Sequence, residues 1–301
     1  MSKKINMMSH DLILGTAQIN SNYGINNNNK VLNENKALSL LGVAKSFNIR
    51  VVDTALNYQN SYSAIEKFSD NNIKSFTIID KVDAISVQKY ANLKHPAHWP
   101  WLRHFVKNGG KLCLMLHSGN DYKDPEIRAS LQKCKELNLV SSIGVSIYDI
   151  HDLQSYMDIG GLDVIQLPLS IVSRKDTNIK LINKLNDYNI KVHIRSIFLQ
   201  GLLLELPKKI PHNFNEYKKR YKIFSRMLPT IQERIAICFA SVMRDITGSL
   251  VIGADNNEQL KMIIKAHKLA YDVPNSYIDK YSILWEDIPE YIIDPRMWYN
   301  N

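Results

Sequence analysis

Short runs of β-branched and other apolar residues recur along the chain, separated by longer segments in which apolar residues follow a helical period. Runs with apolar side chains at successive positions predict strands that are buried on both faces. These runs are LILGTA from Leu12, IRVVDTA from Ile49, FTIIDKV from Phe76, LCLMLHS from Leu112, SSIGVSI from Ser141, DVIQLPL from Asp163, KVHIRSI from Lys191 and SLVIGAD from Ser249. The pattern therefore predicts eight strands in this order.

The intervening segments place apolar residues at i, i+3, i+4 and i+7, the period of an amphipathic helix. Three are clear: NENKALSLLGVAKSF, DPEIRASLQKCKEL and NNEQLKMIIKAHKL. Asn33 or Asn35 is a candidate N-cap of the first, and the second begins with Asp124 as N-cap and Pro125 in its first turn. Strands that alternate with such helices predict a parallel sheet with helical crossovers.

Eight strand–helix units predict a closed (β/α)8 TIM barrel of the α/β class, in a single domain covering residues 1–301. The barrel is expected at about residues 11–268, with a C-terminal tail, 269–301, over one barrel mouth. The alternative is a doubly wound open sheet, which is expected to carry a glycine-rich phosphate turn after its first strand. That turn reads LGTAQIN, without G-x-G-x-x-G, which favours the barrel.

The composition is 45% hydrophobic and 22% charged, typical of a soluble globular protein with a large core. No apolar run approaches the roughly 18 residues of a membrane span, and the first ten residues lack the apolar segment of a signal peptide. Cys113, Cys134 and Cys238 are odd in number and widely spaced, which suits a reducing compartment. We therefore expect a cytoplasmic protein with no membrane partner.

The net charge of +9 is consistent with a nucleic-acid partner or with an anionic ligand. The basic residues are scattered, apart from short runs such as Lys218–Arg220, so we expect a solvated basic surface and no nucleic-acid partner. A phosphorylated cofactor or substrate would also benefit from this charge. His95 and His98 form an H-x-x-H pair, but prolines interrupt the segment and no third ligand is evident, so no metal site is predicted.

Ionisable side chains stand at or just after three consecutive strand ends. Asp53 ends the second strand, Lys81 the third and His117 the fourth, and Tyr58 lies in the loop after the second. Each alone has an ordinary interpretation: a helix cap, a surface lysine, a core histidine and a packing tyrosine. Because active sites of such barrels gather at the carboxyl ends of the strands, their recurrence on one rim favours a common site.

The chemistry of these four residues is that of a tuned proton donor. A tyrosine has an ordinary pKa near ~10, and a nearby ammonium favours the phenolate and lowers that pKa. A carboxylate paired with the ammonium keeps it charged and oriented, and a histidine can donate to a carbonyl oxygen. Such a phenol can protonate a developing alkoxide, but the hydride donor must be a cofactor.

With these residues in place, the sequence resembles the aldo-keto reductases over residues 11–268. The matching motifs are LGTAQ at 14–18, DTALNY at 53–58, DK at 80–81, LH at 116–117, IGVS at 143–146, VIQLP at 164–168 and VIGADNNEQL at 251–260. YGI at 23–25 and RSIFLQGLLL at 195–204 look like a bacterial branch associated with surface-polysaccharide biosynthesis.

The resemblance implies NAD(P)H-dependent reduction of an aldehyde or ketone, with Tyr58 as general acid, Lys81 lowering its pKa, Asp53 paired with Lys81, and His117 orienting the carbonyl. Ser146 and Gln166 match positions that hold the nicotinamide carboxamide. The further residues expected at the cofactor are Gly15, Thr16, Arg195, Gly253, Ala254, Asp255, Asn256 and Gln259.

Two departures from the family bear on the cofactor. The aromatic residue that usually stacks on the nicotinamide is not obvious. Arg195 lies close to that position and is expected to stack on the nicotinamide or to bind a phosphate. The alternative is a surface arginine in an ion pair with an acid. The basic residues that usually bind the adenosine 2′-phosphate are missing from GADNNEQL, where Asp255 would repel that group. The family therefore implies NADP(H), and NAD(H) stays open.

Three functions remain. The first is a reductase acting on a small-molecule carbonyl, with a sugar-derived carbonyl as the candidate substrate. The second is a cofactor-binding regulatory or interaction subunit of the same fold, which would bind nucleotide and turn over slowly. The third is a sugar isomerase or dehydratase that uses the same phenol without net cofactor consumption. The intact set of four ionisable residues favours the reductase.

Overall fold

A computed structural model describes residues 10–20, 32–70, 72–95, 98–206 and 214–298. Within these residues eight parallel strands close into a barrel, each paired with its neighbours in chain order. The strands are β1 (Leu12–Gly15), β2 (Val51–Ala55), β3 (Thr77–Val82), β4 (Lys111–Leu116), β5 (Ser142–Ser146), β6 (Val164–Pro168), β7 (Lys191–Arg195) and β8 (Ser249–Ile252). Seven lie within the predicted runs, and β4 begins one residue before its run, at Lys111. The closed barrel confirms the predicted class and excludes the open sheet.

Helices surround the barrel. They are α1 (Ala17–Asn20), α2 (Glu34–Ser46), α3 (Gln59–Ser69), α4 (Ala84–Leu93), α5 (Trp101–Lys107), α6 (Pro125–Glu136), α7 (Leu153–Ile159), α8 (Asp176–Lys184), α9 (Asn215–Met227), α10 (Ile231–Met243), α11 (Asn257–Ala270), α12 (Asn275–Ser282) and α13 (Glu290–Ile293). Short 3₁₀ helices cover Ile73–Ser75, Gly119–Lys123, Ile150–Asp152, Leu185–Tyr188, Leu199–Gly201, Ile283–Trp285 and Pro295–Met297.

The predicted helix starts are confirmed by their caps. The side chain of Asn33 accepts a hydrogen bond from the backbone N–H of Lys36 at the start of α2. Asp124 accepts from the N–H of Glu126, with Pro125 in the first turn of α6. In each case the cap occupies backbone donors that the first helical turn leaves without a partner.

The strands bury apolar side chains on both faces. One face packs against the helices in the main hydrophobic core, with residues such as Leu14, Val52 and Ile78 fully or almost fully buried. Alternate residues form a separate cluster inside the barrel, comprising Ile13, Ile79, Cys113, Met115 and Val164. This two-sided burial explains why the strands read as continuous apolar runs.

The C-terminal tail begins slightly later than predicted, because α11 extends to Ala270. The tail is held by aromatic contacts with α9: Trp285 stacks on Tyr217 with ring centroids 5.4 Å apart. Further along, Trp298 meets Phe214 edge to face at 5.9 Å. These contacts bring the segment that precedes Trp298 to the barrel mouth.

Among the helices of the described residues, none is both long enough and apolar enough to cross a bilayer.

Candidate active site

A buried ion pair lies at the carboxyl end of the barrel. The Lys81 ammonium donates to Asp53 Oδ1 at 2.5 Å, and both side chains are almost fully buried. Gln166, on β6, donates from Nε2 to Asp53 Oδ2 at 2.8 Å, and its Oε1 accepts from Lys81 at 3.4 Å. Two neighbouring strands and a third across the barrel therefore hold one charged cluster, in which burial strengthens every interaction.

The end of β1 fixes the backbone beside this cluster. Gly15 is in register with Asp53, and both the N–H and the hydroxyl of Thr16 donate to the carbonyl of Asp53 at 3.0 Å. A side chain at Gly15 would come within 3.3 Å of the carbonyl of Ile252 on β8, so the strands approach closely here.

Tyr58 is positioned by the turn between β2 and α3. Its N–H donates to Ala55 at 2.7 Å, and its carbonyl accepts from the N–H and the hydroxyl of Ser61 at 2.9 and 2.6 Å. Ser61 is fully buried and also bonds Thr54 at 2.7 Å. The half-buried phenol ring has its centroid 6.0 Å from the Lys81 ammonium.

His117 is the first residue after β4, and its backbone N–H donates to Val82 at 2.9 Å. Its ring is partly buried. Burial lowers the pKa of the imidazole, and the positive charges of Lys81 and Arg195 lower it further, whereas Asp53 opposes them. The ring is therefore neutral at pH 7, a form in which one nitrogen donates and the other accepts.

These side chains face one cavity of about 380 Å³, lined by the predicted residues Gly15, Thr16, Asp53, Tyr58, Lys81, His117, Ser146, Gln166, Arg195, Gly253, Asp255 and Gln259. Two predicted cofactor residues do not line it. Ala254 is almost fully buried, and Asn256 caps α11 through a bond from the N–H of Gln259. The structure therefore brings the predicted catalytic residues together with most of the predicted cofactor residues.

The loop after β7 is part of this cavity that sequence reasoning did not assign. Ser196, Leu199 and Gln200 adopt left-handed backbone conformations with φ of 61°, 48° and 52°. Such conformations are uncommon for residues other than glycine and cluster at functional sites. In the sequence this segment stands out only as the motif RSIFLQGLLL. A run of mostly apolar residues gives no indication of left-handed backbone conformations.

Two more cavity residues were missed. Tyr148 follows β5, and Arg296 lies in the C-terminal tail. The guanidinium carbons of Arg195 and Arg296 are 4.4 and 4.0 Å from the centroid of the Tyr148 ring. Arg195, which the sequence suggested as a residue that stacks on the nicotinamide, therefore already stacks on Tyr148.

The start of α11 fits an anionic ligand. Asn256 caps the helix, and the N–H of Asp255 donates to Gln259 Oε1 at 2.5 Å, while the cavity reaches Gly253, Asp255 and Gln259. A Cβ at Gly253 would lie 2.1 Å from the side-chain amide of Gln18, so a larger residue here would require that amide to move. A 14-residue helix beginning beside a cavity that also reaches the catalytic cluster fits an extended dinucleotide with phosphates.

One histidine of the H-x-x-H pair contacts a buried carboxylate. His98 Nε2 lies 2.9 Å from Asp80 Oδ2, and the hydroxyl of Tyr62 donates to Asp80 Oδ1 at 2.9 Å. Asp80 is fully buried outside the barrel interior, against α3. Within the described part of the chain, no group of three His, Cys, Asp or Glu side chains is arranged to hold a metal ion.

The barrel places a phenol, a buried lysine–carboxylate pair and a histidine around one cavity, an arrangement suited to protonating a carbonyl beside a bound hydride donor. The chain belongs to the aldo/keto reductase family, whose family model matches residues 11–273. The resemblance noted from the motifs is therefore confirmed, and the protein is an NAD(P)H-dependent oxidoreductase of that family.

Solved structures with the same fold include several bacterial aldo-keto reductases. The holo form of AKR11C1 from Bacillus halodurans is 15% identical, with a TM-score of 0.71 over 94% of this chain and 95% of that one. The glycerol dehydrogenase AKR11B4 from Gluconobacter oxydans is 16% identical, with a TM-score of 0.68 and 94% of each chain covered. An aldo/keto reductase from Klebsiella pneumoniae, in complex with NADP and acetate, is 14% identical, with a TM-score of 0.67 over 91% and 90%. No curated protein matched the chain by sequence.

Proposed function

We propose that the protein reduces an aldehyde or ketone to an alcohol, with Tyr58 as the group that protonates the carbonyl oxygen. One observation carries the proposal: Lys81 is paired with Asp53 at 2.5 Å, and its ammonium is 6.0 Å from the centroid of the Tyr58 ring, on the wall of an open cavity. A phenol beside a buried cation, open to a ligand, is suited to proton transfer.

Lys81 stabilises the phenolate that remains when Tyr58 gives up its proton, because the positive charge lies close to the ring in a poorly solvated site. Asp53 accepts a hydrogen bond from that ammonium and holds it in place inside the barrel. Gln166 fixes the second oxygen of Asp53, so the orientation of the carboxylate does not depend on Lys81 alone.

His117 contributes a neutral hydrogen-bond donor. Because burial and the neighbouring cations lower its pKa, the ring carries no charge of its own near pH 7. A neutral ring that donates to the carbonyl oxygen polarises and orients the carbonyl, and leaves Tyr58 as the proton donor.

Nicotinamide, when bound, supplies the hydride. We propose that Ser146 and Gln166 contact its carboxamide, and that Gly253, Asp255 and Gln259, which line the cavity, form the phosphate end of the site, with Gly15 and Thr16 at the barrel end. Gln166 Nε2 already donates to Asp53, so only its remaining hydrogen-bonding capacity is available for a carboxamide. The family and the Klebsiella complex with NADP favour NADP(H), whereas Asp255 favours NAD(H).

For the substrate we propose a carbonyl compound derived from a sugar or polyol. The similar fold of a glycerol dehydrogenase and the net charge of +9, which suits an anionic sugar derivative, support this class. We also propose a cytoplasmic location, supported by three cysteines that are all free and buried.

The test follows nucleotide absorbance at 340 nm in the presence of a panel of aldehydes, ketones and reducing sugars, with nucleotide affinity measured separately by fluorescence. A reductase consumes one nucleotide for each carbonyl reduced. Tight nucleotide binding without turnover on any carbonyl would instead favour the interaction subunit. Conversion of a sugar without net nucleotide consumption would favour the isomerase or dehydratase.

A further inference from the structure

Two arginines stack on one tyrosine at the wall of the active cavity. The guanidinium carbons of Arg195 and Arg296 are 4.4 and 4.0 Å from the centroid of the Tyr148 ring, so they are separated by no more than the sum of these distances. Cation–π contacts of this kind stabilise each arginine singly. The two like charges nevertheless repel each other, and an anion between or beside them would remove that repulsion.

The two arginines differ in how their charge is balanced. Arg296 has its own carboxylate: its Nε lies 3.0 and 2.9 Å from the two oxygens of Asp294, and its Nη2 lies 2.5 Å from Oδ2. Asp149 is a second acid near Arg296. Neither acid lines the cavity.

Arg195 has a weaker balance, because Asp294 acts on it electrostatically but forms its ion pair with Arg296. Arg195 is half-buried, and its guanidinium donates to the carbonyl of Ile147 at 2.9 Å and to the hydroxyl of Ser196 at 3.4 Å. In the part of the chain that the structure describes, Arg195 forms no salt bridge with Asp255, which lines the same cavity. A partly desolvated guanidinium with donors to spare is stabilised by an anion that reaches it, and it binds carboxylate and phosphate with good geometry.

We propose that Tyr148, Arg195 and Arg296 form an anion subsite, which binds a carboxylate or phosphate group of the substrate while its carbonyl lies at Tyr58 and His117. This inference rests on the proposed reductase function and narrows its substrate to carbonyl compounds that carry a negative charge. Tyr148 sets the separation of the two cations, and Asp294 orients Arg296.

The direction of the Arg195 side chain favours substrate over nucleotide as the source of the anion. It bonds Ile147, which directly follows β5, and stacks on Tyr148 in the same loop. The guanidinium is therefore turned toward β5 and the C-terminal tail, whereas the start of α11, which fits the nucleotide phosphates, follows β8. The lowered pKa of His117, to which the charge of Arg195 contributes, agrees with a cation close to the reacting carbonyl.

Matched pairs of aldehydes test the subsite. One pair is 4-carboxybenzaldehyde with 4-formylbenzamide, which have similar size and differ in charge; the other is glyceraldehyde 3-phosphate with glyceraldehyde. We expect kcat/KM to favour the charged member of at least one pair by about tenfold or more, and Arg195→Gln and Arg296→Gln each to lower that ratio by about fivefold or more. The pair that shows the effect distinguishes carboxylate from phosphate.

Arg226→Gln is the matched control, because Arg226 is exposed on α9, outside the cavity, and its loss changes the net charge equally. The control should leave the charged-to-neutral ratio unchanged. Arg195→Lys, which keeps the charge and loses the planar fork, should fall between wild type and Arg195→Gln. Thermal unfolding of each variant separates a loss of folding from a loss of recognition.

Three results would overturn the subsite: a ratio near one in the wild type, an equal loss on charged and neutral aldehydes in Arg195→Gln, or a weaker nucleotide affinity with an unchanged ratio. The last result would assign Arg195 to the nucleotide phosphate. If no aldehyde is reduced, the proposed function fails and the subsite is judged by calorimetry with benzoate, phenyl phosphate and benzamide. Anion binding that Arg195→Gln abolishes would support the subsite, and its absence in the wild type would overturn it.

Discussion

The side-chain amide of Gln166 donates, at 2.8 Å, to the Asp53 oxygen that is not bonded to Lys81. The two oxygens of this buried carboxylate thus have separate donors, one an ammonium from β3 and the other an amide from β6. Because a buried charge is stable only when its hydrogen-bonding capacity is satisfied, the amide is part of the support of the ion pair.

Replacing Gln166 by leucine should therefore weaken both folding and turnover. The substitution leaves Asp53 Oδ2 buried without a donor, which costs about 1–3 kcal/mol of unfolding free energy. Because Asp53 then holds Lys81 less firmly, kcat should also fall. Denaturant unfolding and steady-state kinetics measure the two effects. Gln154→Leu is the control, since Gln154 is exposed on α7 and donates to Asp158 at 2.8 Å. Equal unfolding free energies for the two variants would contradict the prediction.

Replacing Tyr58 by phenylalanine should remove the proton donor and keep the ring. General acid catalysis contributes typically about 10²–10⁴-fold, and kcat should fall by that order. Nucleotide affinity should stay within about twofold of the wild type, because the phenol hydroxyl is assigned to the substrate carbonyl. Tyr277→Phe, at an exposed position of α12, is the matched control. A Tyr58→Phe protein with wild-type kcat would show that another group delivers the proton.

Most of the barrel could be predicted because its signals are local. Each strand is buried on both faces and therefore reads as a short apolar run, and Asn33 and Asp124 mark helix starts through bonds within one turn. Asp53, Lys81 and His117 stand near consecutive strand ends, so closure of the barrel alone brings them to one rim.

The rest depends on contacts between distant parts of the chain, which have no local pattern. The partners of Gln166 follow from the register across the barrel, and the sequence suggested only a nicotinamide contact. Tyr148 and Arg296 meet because aromatic packing of the tail against α9 carries Arg296 to the mouth. The left-handed backbone of Leu199 and Gln200 opposes the preference of these residue types, so it could not be read from their letters. The YGI motif at 23–25 lies outside the described residues.

The nucleotide preference should respond to Asp255. This residue is half-buried in the cavity wall after β8, and burial raises the pKa of its carboxyl, with a hydrogen bond from Gln259 opposing the shift. A carboxylate here repels the 2′-phosphate that distinguishes NADPH from NADH. Asp255→Asn should therefore strengthen binding of NADPH relative to NADH by about fivefold, the effect of about 1 kcal/mol.

Fluorescence titration with both nucleotides measures this ratio without any need for turnover. Asp272→Asn is the control, because Asp272 is exposed just beyond α11 and its loss changes the net charge by the same amount. A parallel change in the affinities for NADPH and NADH would show that Asp255 does not face the adenosine ribose.

Stability should fall with acid because of a histidine inside the barrel. His193, on β7, is almost fully buried, and its Nδ1 has no hydrogen-bond partner among the described residues. Burial lowers its pKa to about 4, and the charge of Asp53 opposes the shift. In the unfolded chain the ordinary pKa is near ~6.5. The unfolded state therefore binds the proton first as the pH falls. The contribution of His193 to the free energy of unfolding is complete above the pKa of the unfolded chain and is lost as the pH falls toward about 4.

Between pH 7 and pH 5 this group alone should lower the unfolding free energy by about 2 kcal/mol. His193→Met, which fills a similar volume and does not titrate, should flatten that part of the pH dependence. Burial also lowers the pKa of His267 to about 4. The variant should therefore keep the part of the pH dependence that comes from His267. Denaturant unfolding at several pH values measures the slope, with His151→Gln as an exposed control. An unchanged slope in His193→Met would mean that the imidazole binds its proton over the same pH range in the native barrel as in the unfolded chain, with Asp53 offsetting the repulsion from Lys81.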